Sequence, residues 1–182
     1  RLYEKLGFRP VGSSVELIRP PGTPWPDAAA PSHTVRLRRA TASDDATLYQ
    51  LAQAGLDRPH REVLEVRPST YRAGWEARLG AWLEGCSEGW WMAIHRDRAV
   101  GAVGLRSRWS ARYHWVDLLC SPERLEEVGP ALVSAAVRLL ARRRLWETAT
   151  SLPGPREGLE PAFAAAGFRR LRRLVQMRKT LR

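Results

Sequence analysis

Proton transfer is the chemistry most directly on offer. His114 and Asp117 share the run Tyr113 to Cys120, YHWVDLLC, and either could take a proton from an attacking group if a cleft and a perturbing neighbourhood surrounded it. A lone His or Asp near a strand end is more often hydrogen-bonded structure, so both readings stand. His60 and Glu62, in the segment Gly55 to Arg67, could line a binding pocket, as could Tyr71, Trp91 and Trp109, although aromatic residues are commonly core or surface packing. Arg142, Arg143 and Arg144 look like an anion site. They fall where a helix should end, and the macrodipole favours cations there by ~0.3–1 kcal/mol, so they need bind nothing. Cys86 and Cys120 are the only cysteines, without CxxC spacing or a His/Cys cluster, which points away from zinc and from a disulfide framework and fits a reducing cytoplasm.

The chain of 182 residues is long enough for one domain plus an appendage and too short for two full domains. Thirty Lys and Arg against 19 Asp and Glu give +11, yet only Lys5 and Lys179 are lysines and the arginines are spread through every segment. Net charge, eight tryptophans and the ending FRRLRRLVQMRKTLR admit a nucleic-acid-binding module, but Leu171, Leu174 and Gln176 interrupt a simple basic stripe and no nucleic-acid motif accompanies it. No run approaches the ~20 apolar residues of a membrane span, so no membrane partner is expected.

These residues need elements to position them. Val35–Arg39 alternates as a strand, and Ser43 with Asp44 caps a helix to about Ala54. Pro68 and Ser69 open a second helix to about Gly85, whose Trp75, Leu79 and Trp82 share one face and are expected in the core. Trp90–His95 and Ala99–Arg106 form a hairpin around Arg96, Asp97 and Arg98, and Tyr113–Cys120 is the next strand. A third helix begins near Gly129 and Pro130 and reaches Arg142, followed by strand Leu145–Ser151, helix Glu157–Ala166 and strand Phe168–Leu181.

An internal echo organises the ends. Tyr3 to Pro20, YEKLGFRPVGSSVELIRP, aligns without gaps on Phe163 to Thr180, FAAAGFRRLRRLVQMRKT, at an offset of 160 residues, with Gly7/Gly167, Phe8/Phe168, Arg9/Arg169 and Val15/Val175 identical. A period of that size means domain duplication. Residues 1–19 then read as the last helix turn and strand of a first domain, 20–33 as a proline-rich linker and 34–182 as a complete second domain. Arg1 is no initiator, and the chain reads as a fragment of a longer one. The strand Phe8 to Arg19 lacks its parent sheet, so it should add to the second domain's sheet or join a neighbouring chain as a homo-oligomer contact.

The element order, the AFAAAGF ending and LYEKLGFR at residues 2–9 resemble the GNAT superfamily of N-acetyltransferases. The resemblance implies an α/β (α+β) fold with a mixed, mostly antiparallel sheet flanked by helices. It implies transfer of an acetyl group from acetyl-CoA, as co-substrate, to a small-molecule or peptide amine. Asp117 or His114 would deprotonate the amine, and backbone groups of Leu118, Leu119 and Cys120 would hold the thioester and pantetheine. The family's phosphate loop, R/Q-x-x-G-x-G/A, falls on Arg124, Leu125, Glu126, Glu127, Val128 and Gly129, with Pro130 and Ala131 following, so Glu127 replaces the central glycine. The family's proton-donating tyrosine falls on Phe163, which has no proton to give, and on Tyr3 in the truncated copy. These two departures leave a second reading open, a non-catalytic GNAT-like module that supports or dimerises with a catalytic first domain.

Overall fold

Arg96 and Asp97 both adopt left-handed backbone angles (φ 48° and 59°) and so close a two-residue hairpin between β3 (Cys86–His95) and β4 (Arg98–Arg108). That hairpin seeds one side of a seven-stranded sheet in the computed structural model, which describes residues 2–26, 35–64 and 66–179. With β1 (Arg9–Arg19), β2 (Arg36–Arg39), β5 (Tyr113–Cys120), β6 (Glu147–Pro153) and β7 (Arg169–Arg178), the order is β2-β3-β4-β5-β6-β1-β7. Every pairing is antiparallel except β5 with β6, which is parallel and therefore needs a crossover.

The crossover is α5 (Leu125–Ala141), whose buried Val128, Leu132, Val133, Ala136, Val137 and Leu140 recur at helical spacing. They pack with α6 (Glu160–Ala165) on one face of the sheet, against Val15, Leu17, Val103, Val116 and Leu118. On the other face, α2 (Asp45–Ala54) buries Leu48 and Ala52 against Trp90, Met92 and Leu119. Beside it lie α3 (Arg58–Val63), capped by Asp57 Oδ1 on the His60 amide, and α4 (Trp75–Leu83). Among the described residues no helix is long and apolar enough to cross a membrane.

Several expectations are corrected. The helix expected from Pro68 to Gly85 is a 3-10 turn, Pro68–Thr70, followed after Gly74 by α4. Trp75 and Trp82 are 66% and 58% exposed and Leu79 is exposed, while the smaller Ala77 and Ala81 on the other side of α4 are half-buried. α5 begins at Leu125, so Pro130 lies inside the helix and leaves the Glu126 carbonyl without its usual amide. The stretch from Pro20 is docked as far as Pro26: buried Arg19 donates to the carbonyls of Thr23, Pro24 and Ala166 (2.9, 2.7 and 3.2 Å) and stacks 3.7 Å over Trp25. The rest of the expected linker, 27–33, and Leu181 at the end of the expected last strand lie outside the described residues.

β1 is internal, held between β6 and β7, so it offers no edge to a neighbouring chain; the edge strands are β7 at this end of the sheet and β2 at the other. The sequence echo is reproduced in the backbone. The single turn α1 (Leu2–Lys5) and α6 end in the same cap, with Gly7 and Gly167 both at φ 85°, and with Phe8 and Phe168 donating to the carbonyls of Tyr3 and Phe163, each at 3.0 Å. Ser14 pairs with Leu174, its own equivalent 160 residues on, while Arg9↔Arg178 exchanges with Ile18↔Arg169. Even the bulges correspond, at Val11 in β1 and Leu171 in β7. The β1–β7 ladder therefore has a local pseudo-twofold axis at Ser14 and Leu174.

Candidate active site

β5 and β6 run side by side only from Tyr113↔Glu147 to Val116↔Thr150. Beyond that point β5 stays with β4, through Gly104↔Asp117 to Gly101↔Cys120, whereas β6 stays with β1, through Ser14↔Pro153. The two parallel strands thus part into a wedge, and the β6-facing backbone groups of Asp117 to Cys120 have no partners on β6. Buried backbone polar groups require partners, so a wedge of this kind can hold the amides and carbonyls of an extended ligand.

The wedge opens on the α2 side into a cavity of about 490 Å³. Strand alternation aims Tyr113, Trp115, Asp117 and Leu119 into it, beside Glu88 and Trp90 of β3 and Arg106 and Arg108 of β4. Gly104 makes room for Trp90, since a Cβ there would come within 2.7 Å of the indole ring. Tyr71 and Arg156 complete the wall, with Leu56, Leu64 and Val66 from the segment after α2. Asp117 Oδ1 accepts from Trp115 Nε1 at 2.9 Å. Burial pushes its carboxyl above the ordinary range, while Trp115, Arg156 and Arg106 oppose the rise. Arg156 is 7% exposed and lies against Gly55, where a Cβ would come within 2.3 Å of Nη2. Among the described residues its Nε and Nη2 have no hydrogen-bond partner, nor has Trp90 Nε1.

A second, open cavity of about 680 Å³ lies at the start of α5, lined by His95, Arg96, Arg98, Arg124 and Glu127. The β3–β4 turn thus brings two guanidinium groups to the helix N-terminus, where amide donors and the dipole also favour anions. Three arginines against one carboxylate make this the place where the chain could hold an anionic cofactor group.

The residues expected from the sequence divide accordingly. Asp117 and Leu119 line the first cavity, and Arg124 and Glu127 the second. Leu118 and Cys120 face the α5 side with their side chains buried, leaving only their backbone toward the wedge. Leu125 packs near Gly129, Glu126 and Pro130 are exposed, Ala131 is half-buried, and Val128 is core. Gly129 does not serve close ligand approach: it is buried where Leu159 Cδ2 would lie 2.4 Å from a Cβ, so its missing side chain serves helix packing.

His114 points to the opposite face from Asp117. Its Nε2 donates to the Arg144 carbonyl (2.9 Å), its Nδ1 meets Ser107 Oγ (2.7 Å), and its ring stacks on Trp146. Burial lowers its pKa, with the Arg144 carbonyl opposing and Arg143 assisting, so it is a neutral structural imidazole. Phe163 is buried edge-on to Phe168 (centroids 5.0 Å) and lines neither cavity, nor does exposed Tyr3. His60 is fastened to Asp57 Oδ1 (2.7 Å) and the Ser13 carbonyl (3.0 Å); the Glu62 side chain lies outside the described part. Tyr71 is in the first cavity, whereas Trp91 and Trp109 line neither. Arg156, Trp90, Arg96 and Arg98 were not legible as site residues. The signal that could have found the last two was the pair of basic residues flanking a two-residue turn.

No protein-family model matches the chain, and neither does any curated protein sequence. Solved structures do. A GCN5-related N-acetyltransferase from Sphaerobacter thermophilus superposes with TM-score 0.63 at 20% identity over 98% of this chain and 55% of that one. One from Kribbella flavida gives 0.60 at 13% over 97% and 61%, and one from Anabaena variabilis 0.56 at 13% over 97% and 42%. The chain spans about half the length of these proteins. With its parting parallel strands and the α5 crossover between them, the chain has the fold of the GNAT N-acetyltransferases.

Proposed function

We propose that the chain is an N-acetyltransferase that uses acetyl-CoA and an amine acceptor. The observation that carries this reading is the wedge between β5 and β6, flanked by an acceptor-sized pocket on one side and an arginine-lined cavity at the α5 N-terminus on the other. Acetyl-CoA would supply the activated acyl group. Backbone groups of Leu118, Leu119 and Cys120 would hold its amides and thioester carbonyl, and Arg96, Arg98 and Arg124 its phosphates. The +11 charge supports an anionic ligand of this kind, and the three arginines offset Glu127 in place of the loop glycine. Asp117 takes the amine proton, its raised pKa bringing its basicity closer to the task. In place of Phe163, the pocket offers the hydroxyls of Tyr71 and Tyr113, both kept protonated because burial raises their pKa. Release of free thiol from acetyl-CoA across an amine panel tests the reading. Amine-dependent release that rises with pH as Asp117 ionises supports it; no release above the uncatalysed rate with any amine contradicts it.

The symmetric β1–β7 register favours a second statement, about organisation. We infer that the sheet continues past β7 into another domain of the same fold, whose β6 equivalent lies along residues 174–179 as β6 lies along Ser14 to Arg19. The two domains would then exchange their last strands across the pseudo-twofold axis, as a duplicated chain or an assembled pair. Hydrogen exchange checks this. With that other domain present, residues 174–179 should exchange as slowly as Ser14 to Arg19, and exchange at open-edge rates would contradict the pairing.

A further inference from the structure

The first cavity holds charges that the described residues leave unmatched. Glu88 is occupied by Arg106, whose Nε and Nη2 lie 3.1 and 3.0 Å from Oε2. What remains is one carboxylate, Asp117, and two guanidinium groups, Arg108 at the rim and Arg156 in the wall. Arg156 is more than nine-tenths buried, and among the described residues neither Nε nor Nη2 meets an acceptor. Trp90, whose enclosed Nε1 also has no partner among the described residues, stands in the same wall. Buried guanidinium donors left unsatisfied are strongly unfavourable, and planar forked donors suit carboxylates. The rest of the lining is aromatic or aliphatic: Tyr71, Tyr113, Trp115 and Leu119 among others. A volume of about 490 Å³ suits a small molecule.

We propose that this pocket selects acceptors that carry a carboxylate close to the amine, of the α-amino-acid kind, with the Arg156 guanidinium holding the carboxylate, Asp117 facing the amine, and the aromatic wall taking an apolar side chain. This rests on the acetyltransferase reading for the fate of the amine, but not for its binding. The arrangement puts opposite charges of the ligand against opposite charges of the pocket, with a planar guanidinium in the wall to face the carboxylate. A plain amine would answer Asp117 and leave Arg156 as it is. A lysine side chain of a protein would bring no carboxylate beside its nitrogen.

Matched pairs test this by titration calorimetry without acetyl-CoA: L-phenylalanine with 2-phenylethylamine, L-tryptophan with tryptamine, and L-leucine with 3-methylbutylamine. In at least one pair the carboxylate-bearing member should bind about tenfold or more tightly, as expected for a charge-assisted hydrogen bond at a buried site. Arg156→Gln should abolish that advantage, and Arg156→Lys, which keeps the charge and loses the fork, should retain part of it. Equal or tighter binding of the amine in every pair, binding of neither member in every pair, or an advantage that survives Arg156→Gln in a folded variant would each overturn the proposal. Wild-type pair comparison decides the matter even if the variants fail to fold. Acetylation of plain amines without carboxylate preference would remove this proposal alone. Carboxylate-selective binding without thiol release from acetyl-CoA would remove the acetyltransferase reading alone.

Discussion

Asp117→Asn should lower kcat for acetyl transfer by about 10²- to 10⁴-fold, the range for loss of a positioned general base, without lowering stability at neutral pH. The two halves of that result come from one fact. Burial raises the carboxyl's pKa above its unfolded value, so Asp117 favours the fold when protonated and opposes it once pH exceeds the raised value. Above that value the carboxylate opposes folding, and asparagine removes that penalty while keeping the shape and an acceptor for Trp115 Nε1. For catalysis the sign is reversed: the ionised form is the base, so wild-type activity rises with pH through the raised pKa, and the variant should lose that limb of the profile. Unfolding curves and pH–rate profiles on the same samples check both. A variant as active as wild type would show that Asp117 is only a buried structural carboxylate.

Leu17→Ala should destabilise the protein by about 2–5 kcal/mol, the usual range for emptying a buried leucine site. Leu17 is 1% exposed in β1, among Val116, Leu132 and Phe168 of the main core. The prediction separates an integral β1 from an appended one, because an idle remnant would tolerate the change. Leu171→Ala, at an exposed position on β7, is the control and should stay within about 0.5 kcal/mol. Urea unfolding of both variants reads the difference directly; a Leu17→Ala value as small as the control's would contradict the internal placement of β1.

Strand alternation and turn residues made much of the sheet legible: Tyr113–Cys120 has the boundaries its pattern implies, and the Arg96–Asp97 hairpin lies where the apolar runs leave a gap. The echo of Tyr3–Pro20 in Phe163–Thr180 was readable too, but that the two strands pair with each other about a pseudo-twofold axis depends on tertiary pairing. Helical spacing put Trp75, Leu79 and Trp82 on one face correctly. Periodicity says which residues share a face and not which way it points, and here the side with Ala77 and Ala81 packs inward. Gly129 matched a phosphate-loop position in letter only, since its role is set by Leu159, 30 residues away in sequence. Likewise the site's cations come from separate segments, Arg96 and Arg98 on a hairpin, Arg124 before α5 and Arg156 after β6, and no local pattern joins them. Asp117 was legible because one strand carries it; what distinguishes it from His114 is the alternation that sends the two side chains to opposite faces.

Titration of the chain with acetyl-CoA tests the account most directly. Binding with one site per chain is predicted, weakening as salt rises from about 0.05 to 0.5 M because exposed guanidinium–phosphate attraction is screened. Arg124→Ala should weaken it about tenfold, the loss of one charge-assisted contact. The absence of measurable binding at millimolar acetyl-CoA, or binding indifferent to both salt and Arg124, would contradict the reading of the wedge and its arginine-lined mouth as a coenzyme A site.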